Sequence, residues 1–179
     1  MDLTTDFFTL FQLPRLFRLD LSALEARYLE IQGEVHPDRF VQADERARRQ
    51  AAQWAARVNE GCLTLKKPLE RAKYLLFLAG HDLEAERNTV MEPAFLIEQM
   101  EWREAAEEAR NGRDHHALER LHHRLHQDLA GRYRALAALL DDQRDWPAAA
   151  HETRRLMFLE KLRLEIDDAL AALEDEGIY

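Results

Sequence analysis

Few residues in this chain could do chemistry by themselves. There is one cysteine, Cys62, and there are eight histidines. His115, Glu119, His122 and His126 recur at spacings of 4, 3 and 4 on one side of a helical stretch, and His122 with His126 has the spacing of a zinc pair. That stripe borders a leucine face, and neither an HExxH pattern nor a cysteine cluster accompanies it. The expectation is no resident metal and no cofactor. A thiol–imidazole pair built on Cys62 and His36 fails on distance, because six helical turns put the two roughly 35 Å apart. Cys62 also falls on an apolar helical stripe, where a buried thiol is inert. No glycine-rich phosphate loop is present, so the chain is not expected to be an enzyme. What remains is His36-Pro37-Asp38. Proline lacks the amide donor and disfavours a helical residue before it. A helical pattern runs up to Val35 and another resumes by about Val41, so the triplet sits in a short, exposed turn. Taken alone, it also reads as a simple proline turn with an Asx-type aspartate.

The elements on either side must position that turn. Asp6 can cap a short helix carrying Phe7, Phe8, Leu10 and Phe11, which Leu13-Pro14 stops. Three phenylalanines in five residues require packing partners. Ser22 and Glu25 have capping-box spacing, with Leu21 placed as a staple. Leu24, Tyr28, Ile31 and Val35 then form one apolar face. After the turn, Ala47, Ala51, Trp54, Val58, Cys62 and Leu65 make a mostly small-residue stripe on a helix of about six turns. Small residues let an antiparallel partner approach closely, so the two helices should form a hairpin with His-Pro-Asp at its tip. Pro68 opens a further helix carrying Leu69, Ala72, Leu75, Leu76 and Leu78, and Gly80 ends it.

Residues 1–80 therefore read as one helical domain and 81–93 as a linker. Residues 94–179 read as a three-helix bundle, since short connections make successive helices antiparallel neighbours. The first bundle helix runs from about Ala94 to Arg110. The second carries Leu118, Leu121, Leu125, Leu129, Leu136 and Leu140. The third follows Asp145-Trp146-Pro147 and carries Leu156, Leu159, Leu162, Ile166, Leu170 and Leu173. The first has apolar residues on two sides. At 100° per residue Phe95, Trp102 and Ala106 share one side, the core face. Leu96, Ile97 and Met100 lie on another and lead into Glu101, Glu104 and Glu108. An apolar head with an acidic tail resembles a binding surface; packing against the linker or the N-terminal helices is the alternative. Phe158 lies about 100° off the leucine stripe of the third helix and is expected to be exposed.

Composition agrees with an all-α fold, being 46% hydrophobic and 33% charged with only 6 Gly and 5 Pro. No run of 18 apolar residues offers a membrane span. No signal-peptide pattern opens the sequence, and one cysteine suits a reducing compartment, so a cytoplasmic location is expected. Net charge is −9 and unevenly placed: 12 Lys/Arg and 11 Asp/Glu in residues 1–80 give +1, leaving 13 and 23, or −10, in residues 81–179. An acidic half argues against nucleic acid and anionic membrane and suits a basic protein partner.

Taken together, these residues resemble a J-domain followed by the client-binding bundle of the HscB family of co-chaperones in iron–sulfur cluster assembly. Phe7-Phe8-Thr9-Leu10-Phe11-Gln12-Leu13-Pro14 is similar to the family's opening, and His36-Pro37-Asp38-Arg39-Phe40 to its signature. Pro68-Leu69-Glu70-Arg71-Ala72-Lys73-Tyr74-Leu75-Leu76 resembles a third segment. Phe95 to Glu101 with Arg103-Glu104 resembles a fourth, and Arg155, Phe158-Leu159 and Lys161-Leu162-Arg163 a fifth. The resemblance implies that His36, Pro37, Asp38 and Arg39, with Arg27, contact an ATP-dependent heat-shock chaperone of the HscA type. It implies that Leu96, Ile97, Met100, Glu101, Glu104, Glu108 and Phe158 bind a cluster scaffold protein of the IscU type. A general J-domain adaptor for another client and a histidine-based metal-binding protein are the alternatives. A general J-protein usually has a Gly/Phe-rich linker or zinc-binding cysteines, and this chain has neither. The chain departs from the family twice. Arg27 is alone on the helix before His36, which shifts docking charge to Arg39, Arg46, Arg48 and Arg49. Gly61 and Cys62 stand where the family favours alanine and an aromatic, and Gly61 costs about 1 kcal/mol of helix stability relative to alanine.

Overall fold

Asp6 starts the first helix, α1 (Phe7–Leu10), by accepting from the Thr9 amide at 3.1 Å and the Thr9 hydroxyl at 2.7 Å. Arg15 pairs with the same carboxylate at 2.7 Å. Burial pushes the Asp6 pKa up, but the Thr9 and Arg15 hydrogen bonds outweigh it and hold the carboxyl below its ordinary value. Asp6→Ala should cost about 1–2 kcal/mol at neutral pH, the range for a lost cap with an added ion pair. Because the folded pKa is lowered, this contribution is present above the unfolded value and is lost as pH falls through the folded one. Thermal unfolding of both proteins through the acid range should show their difference shrinking there.

The structure is a computed structural model describing residues 4–35, 44–83 and 93–177. Its described residues are helical, without a strand, and divide into two units, Met1–Leu78 and Ala79–Tyr179. In the first unit α2 (Leu21–Val35) packs along α3 (Glu45–Lys66), and α4 (Pro68–Leu78) returns along α3. Leu24, Ile31 and Val35 of α2 are buried, as are Ala51, Trp54, Val58 and Leu65 of α3. Phe7, Phe8 and Phe11 close one side of this layer, each at most 3% exposed. Burying a phenylalanine contributes about 1.5–3 kcal/mol, so the short segment from Phe7 to Phe11 adds substantially to the unit's apolar burial. The Phe7 amide donates to Tyr74 Oη at 3.0 Å, and Arg57 lies 4.2 Å over the Phe7 ring.

Three local expectations need correction. Asp20, not Ser22, caps α2: its Oδ1 accepts from Ser22 N at 2.9 Å and Ala23 N at 3.2 Å. Leu21 is exposed rather than acting as a staple. A carboxylate two residues earlier can reach two free amides of the first turn, and the helix therefore begins just after it, at Leu21. On α3, Gly61 rather than Cys62 occupies the buried stripe, and Cys62 is only half-buried. The cause is the close approach of α1, whose Phe7 and Phe11 rings lie directly over Gly61.

The second unit is formed by α5 (Pro93–Asn111), α6 (His115–Ala137) and α7 (Trp146–Asp175). Every leucine of the expected α6 stripe is buried, and on α7 Leu156, Leu159, Leu162, Ile166 and Leu173 are buried. Asp114 and Asp145 cap α6 and α7 through the Ala117 and Ala148 amides at 2.9 and 3.0 Å. A π turn, Ala138–Gln143, extends α6 and ends at left-handed Arg144. Phe95, Trp102 and Ala109 form the core face of α5, while Ala106 is half-buried instead of central. Their spacing of seven, two turns of helix, keeps the three on one line. Arg132 of α6 ties the bundle together, donating to Asp128 at 2.8 Å, to Glu152 of α7 at 3.3 Å and to Glu98 of α5.

Candidate functional site

With its core face taken by Phe95, Trp102 and Ala109, α5 leaves three large apolar side chains on the outside. Leu96 is 45% exposed, Ile97 58% and Met100 68%. Their Cα–Cβ directions fall within about 100° of one another on the helix, so they form one strip. Glu101, Glu104 and Glu108 continue it, all exposed. Scattered single apolar residues on a surface need no explanation; three in one helical turn and a half, rimmed by carboxylates, form a contiguous exposed apolar patch and make this the candidate site.

Phe158 of α7 is half-buried rather than fully exposed. Its ring meets Phe95 edge to face at 6.1 Å, and the Arg103 guanidinium lies over the ring, 5.6 Å from its centroid. Phe158 is thus tied to α5 through Phe95, the residue before Leu96, and keeps part of its surface accessible. Arg103 is a neighbour of the strip that residue patterning does not single out. Beneath the strip, Glu98 holds α5 to Arg132, and Arg155 lies over Phe95 at 5.5 Å. The exposed residues thus stand on a helix fixed from both neighbouring helices.

The second group of site residues, His36, Pro37, Asp38 and Arg39, lies outside the described residues. Arg27, expected beside them, is on α2. Its Nε donates to the Phe11 carbonyl at 3.3 Å, and its Nη1 pairs with Glu30 at 2.5 Å. It therefore also fixes the segment after α1. On the first turn of α3, Arg46, Arg48 and Arg49 are exposed, with Arg49 paired to Glu45. Burial, with Glu25 adding to it, pushes the Cys62 thiol up against the pull of Lys66, the direction that lowers its nucleophilic character. The four residues of the histidine stripe do not gather into one ligand set: His122 pairs with Asp167 of α7 at 3.0 Å and its ring meets that of His126 edge to face at 4.4 Å, while His115 faces Glu119.

An all-α chain with a capped short helix, a helical hairpin and a separate three-helix bundle carrying an exposed apolar strip has the architecture of a J-domain co-chaperone. Comparison with known proteins makes this particular. The family model described as HSCB C-terminal oligomerisation domain matches residues 91–167. A co-chaperone protein HscB homolog of Azoarcus sp. strain BH72 is 57% identical over 175 residues, covering 98% of this chain and 99% of that protein. Chaperone HscB from Vibrio cholerae superposes with a TM-score of 0.82 at 37% identity, covering 94% of this chain and 99% of that one. Human co-chaperone protein HscB gives a TM-score of 0.86 at 28% identity, over 93% and 83% of the two chains. The chain belongs to the HscB family of co-chaperones. No described helix is long and apolar enough to cross a membrane.

Proposed function

We propose that this co-chaperone serves iron–sulfur cluster assembly by bringing a scaffold protein of the IscU type to an ATP-dependent heat-shock chaperone of the HscA type. Its J-domain docks through His36, Pro37, Asp38 and Arg39 and stimulates ATP hydrolysis on the chaperone; the chain hydrolyses none itself. Arg27 contributes once its pair with Glu30 opens, and Arg46 and Arg48 supply accessible positive charge next to the turn. The scaffold binds on α5 and α7, with Leu96, Ile97 and Met100 as apolar anchors and Phe158 at their edge. Glu101, Glu104 and Glu108 form a rim that favours a basic client surface.

The observation that carries this reading is the strip itself: three large apolar residues left outside on a helix that already has a complete core face. Burying such side chains against a partner is favourable in proportion to the area removed from water. The decisive measurement is the steady-state ATPase rate of an HscA-type chaperone with this protein and an IscU-type scaffold added separately and together. The expected result is a several-fold rise with the co-chaperone and a further rise when the scaffold is present. A rate that this protein leaves unchanged, with or without scaffold, would refute the proposal.

A further inference from the structure

The start of α6 brings together three side chains able to ligate a metal, well away from the apolar strip. His115, His116 and Glu119 each place a ligand atom within 4.8 Å of the others, the one such group among the described residues. Nδ1 of His115 lies 3.6 Å and Nδ1 of His116 lies 3.2 Å from the same oxygen, Oε2 of Glu119. In a tetrahedral zinc site with bonds of about 2.0–2.2 Å, neighbouring donors stand roughly 3.3–3.5 Å apart. Both imidazole–carboxylate separations are already close to that spacing. The imidazole–imidazole separation closes by turning His116, an exposed side chain.

We propose that His115, His116 and Glu119 form a three-ligand site for a divalent first-row transition ion, with Zn²⁺ the best match to two imidazoles and a carboxylate. A second feature points the same way. His115 is 8% exposed, and while its Nδ1 faces Glu119, its Nε2 faces Glu174 Oε1 of α7 at 3.7 Å. A metal-bound imidazole characteristically offers its other N–H to a carboxylate, which fixes its orientation and strengthens it as a ligand. Helix N-termini disfavour cations. Here Glu119 and Glu174 face His115 from its two ring nitrogens, Asp114 caps the same first turn, and the cation Arg113 is engaged by Glu176. A bound ion links the first turn of α6 to the last turns of α7. The chain between Leu96 and Asn111 spans about 22 Å of helix, so the ion sits at the opposite end of α5 from the apolar anchors.

The test is titration of Zn²⁺ into the metal-free full chain against a chromophoric chelator. One equivalent should bind, and His116→Ala and Glu119→Gln should each weaken it at least tenfold. Both of those side chains are exposed, so both variants should melt in chelator as the parent does. Glu174→Gln should weaken binding several-fold with the stoichiometry unchanged, and His122→Ala/His126→Ala should leave it unchanged. Saturating Zn²⁺ should raise the melting temperature of the parent by mass action and that of His116→Ala much less. Parent-level affinity in His116→Ala and Glu119→Gln, loss of binding in His122→Ala/His126→Ala, or several weak equivalents in place of one would overturn the site.

Discussion

His36→Gln will abolish stimulation of the chaperone ATPase while scaffold affinity stays at the parent value, and Leu96→Ala/Met100→Ala will do the reverse. The two groups of residues lie in separate units of the chain. They also differ in kind. His36 is read from the sequence as part of a polar His-Pro-Asp triplet, so exchanging imidazole for an amide of similar size would remove the proposed recognition group with little change in volume. Leu96 and Met100, as the proposed anchors, would contribute through area. In the free protein they are 45% and 68% exposed, so much of that area is still in water. Truncating them removes little that holds the fold, and melting should shift only slightly. On binding, the remaining area would be buried. Losing it from the pair should weaken scaffold binding by about 1–3 kcal/mol, roughly 5- to 150-fold.

Charge reversal at Glu104 and Glu108 should act differently. Rim charges in water change the association rate and its salt dependence more than the lifetime of the complex. Melting curves, scaffold titrations and ATPase rates on the same preparations separate these effects. If Leu96→Ala/Met100→Ala melted far lower yet bound scaffold at full affinity, the strip would be core and not interface. If His36→Gln stimulated like the parent, the J-domain reading would fall with it.

The strip was legible in the sequence because α5 carries more apolar residues than one helical face accommodates, and a 3.6-residue period sorts them without any partner in view. The leucine stripe of α6 was legible for the same reason. What could not be read depends on a neighbour. Whether Ala106 or Ala109 completes the α5 core follows from how the three bundle helices cross, since Ala109 continues the line through Phe95 and Trp102 and Ala106 lies only slightly to one side of it. Asp20 and Ser22 are both good caps, and the backbone path decides between them. His116 belongs to no periodic pattern: adjacent residues on a helix normally diverge. Only at the first turn, with Glu119 reaching back to both rings, do they share a carboxylate. The half-buried position of Phe158 is set by the Phe95 ring from another helix. Gly61 is the clearest case. From sequence it reads as a weak spot on a helix, but the reason for it comes from a phenylalanine more than fifty residues earlier.

Gly61→Ala will destabilise the N-terminal unit, although glycine to alanine inside a helix ordinarily stabilises by about 1 kcal/mol. A Cβ on Gly61 would lie 2.7 Å from Phe7 Cδ1, 3.0 Å from Phe11 Cε2 and 3.1 Å from Phe7 Cγ. Carbon atoms are best placed about 3.5–4.0 Å apart, so the rings must move. Phe7 has little room to do so. Its amide is held by Tyr74 Oη, its ring lies tilted on that of Tyr74 at 4.7 Å, and Arg57 lies over it. Overpacking a well-filled site costs about 1–3 kcal/mol, which exceeds the helix-propensity gain over most of its range. The net loss for alanine should be about 1 kcal/mol, or about 4–8 °C for a domain of this size. Gly61→Leu should cost several times as much, because its longer side chain enters the same space. Gly33→Ala is the control. A Cβ there meets nothing within 4 Å, so the propensity term acts alone and should raise stability. Opposite signs for the two alanine variants in thermal or urea unfolding are the expected result. A Gly61→Ala protein more stable than the parent would show that α1 does not press on α3 as closely as Phe7 and Phe11 indicate.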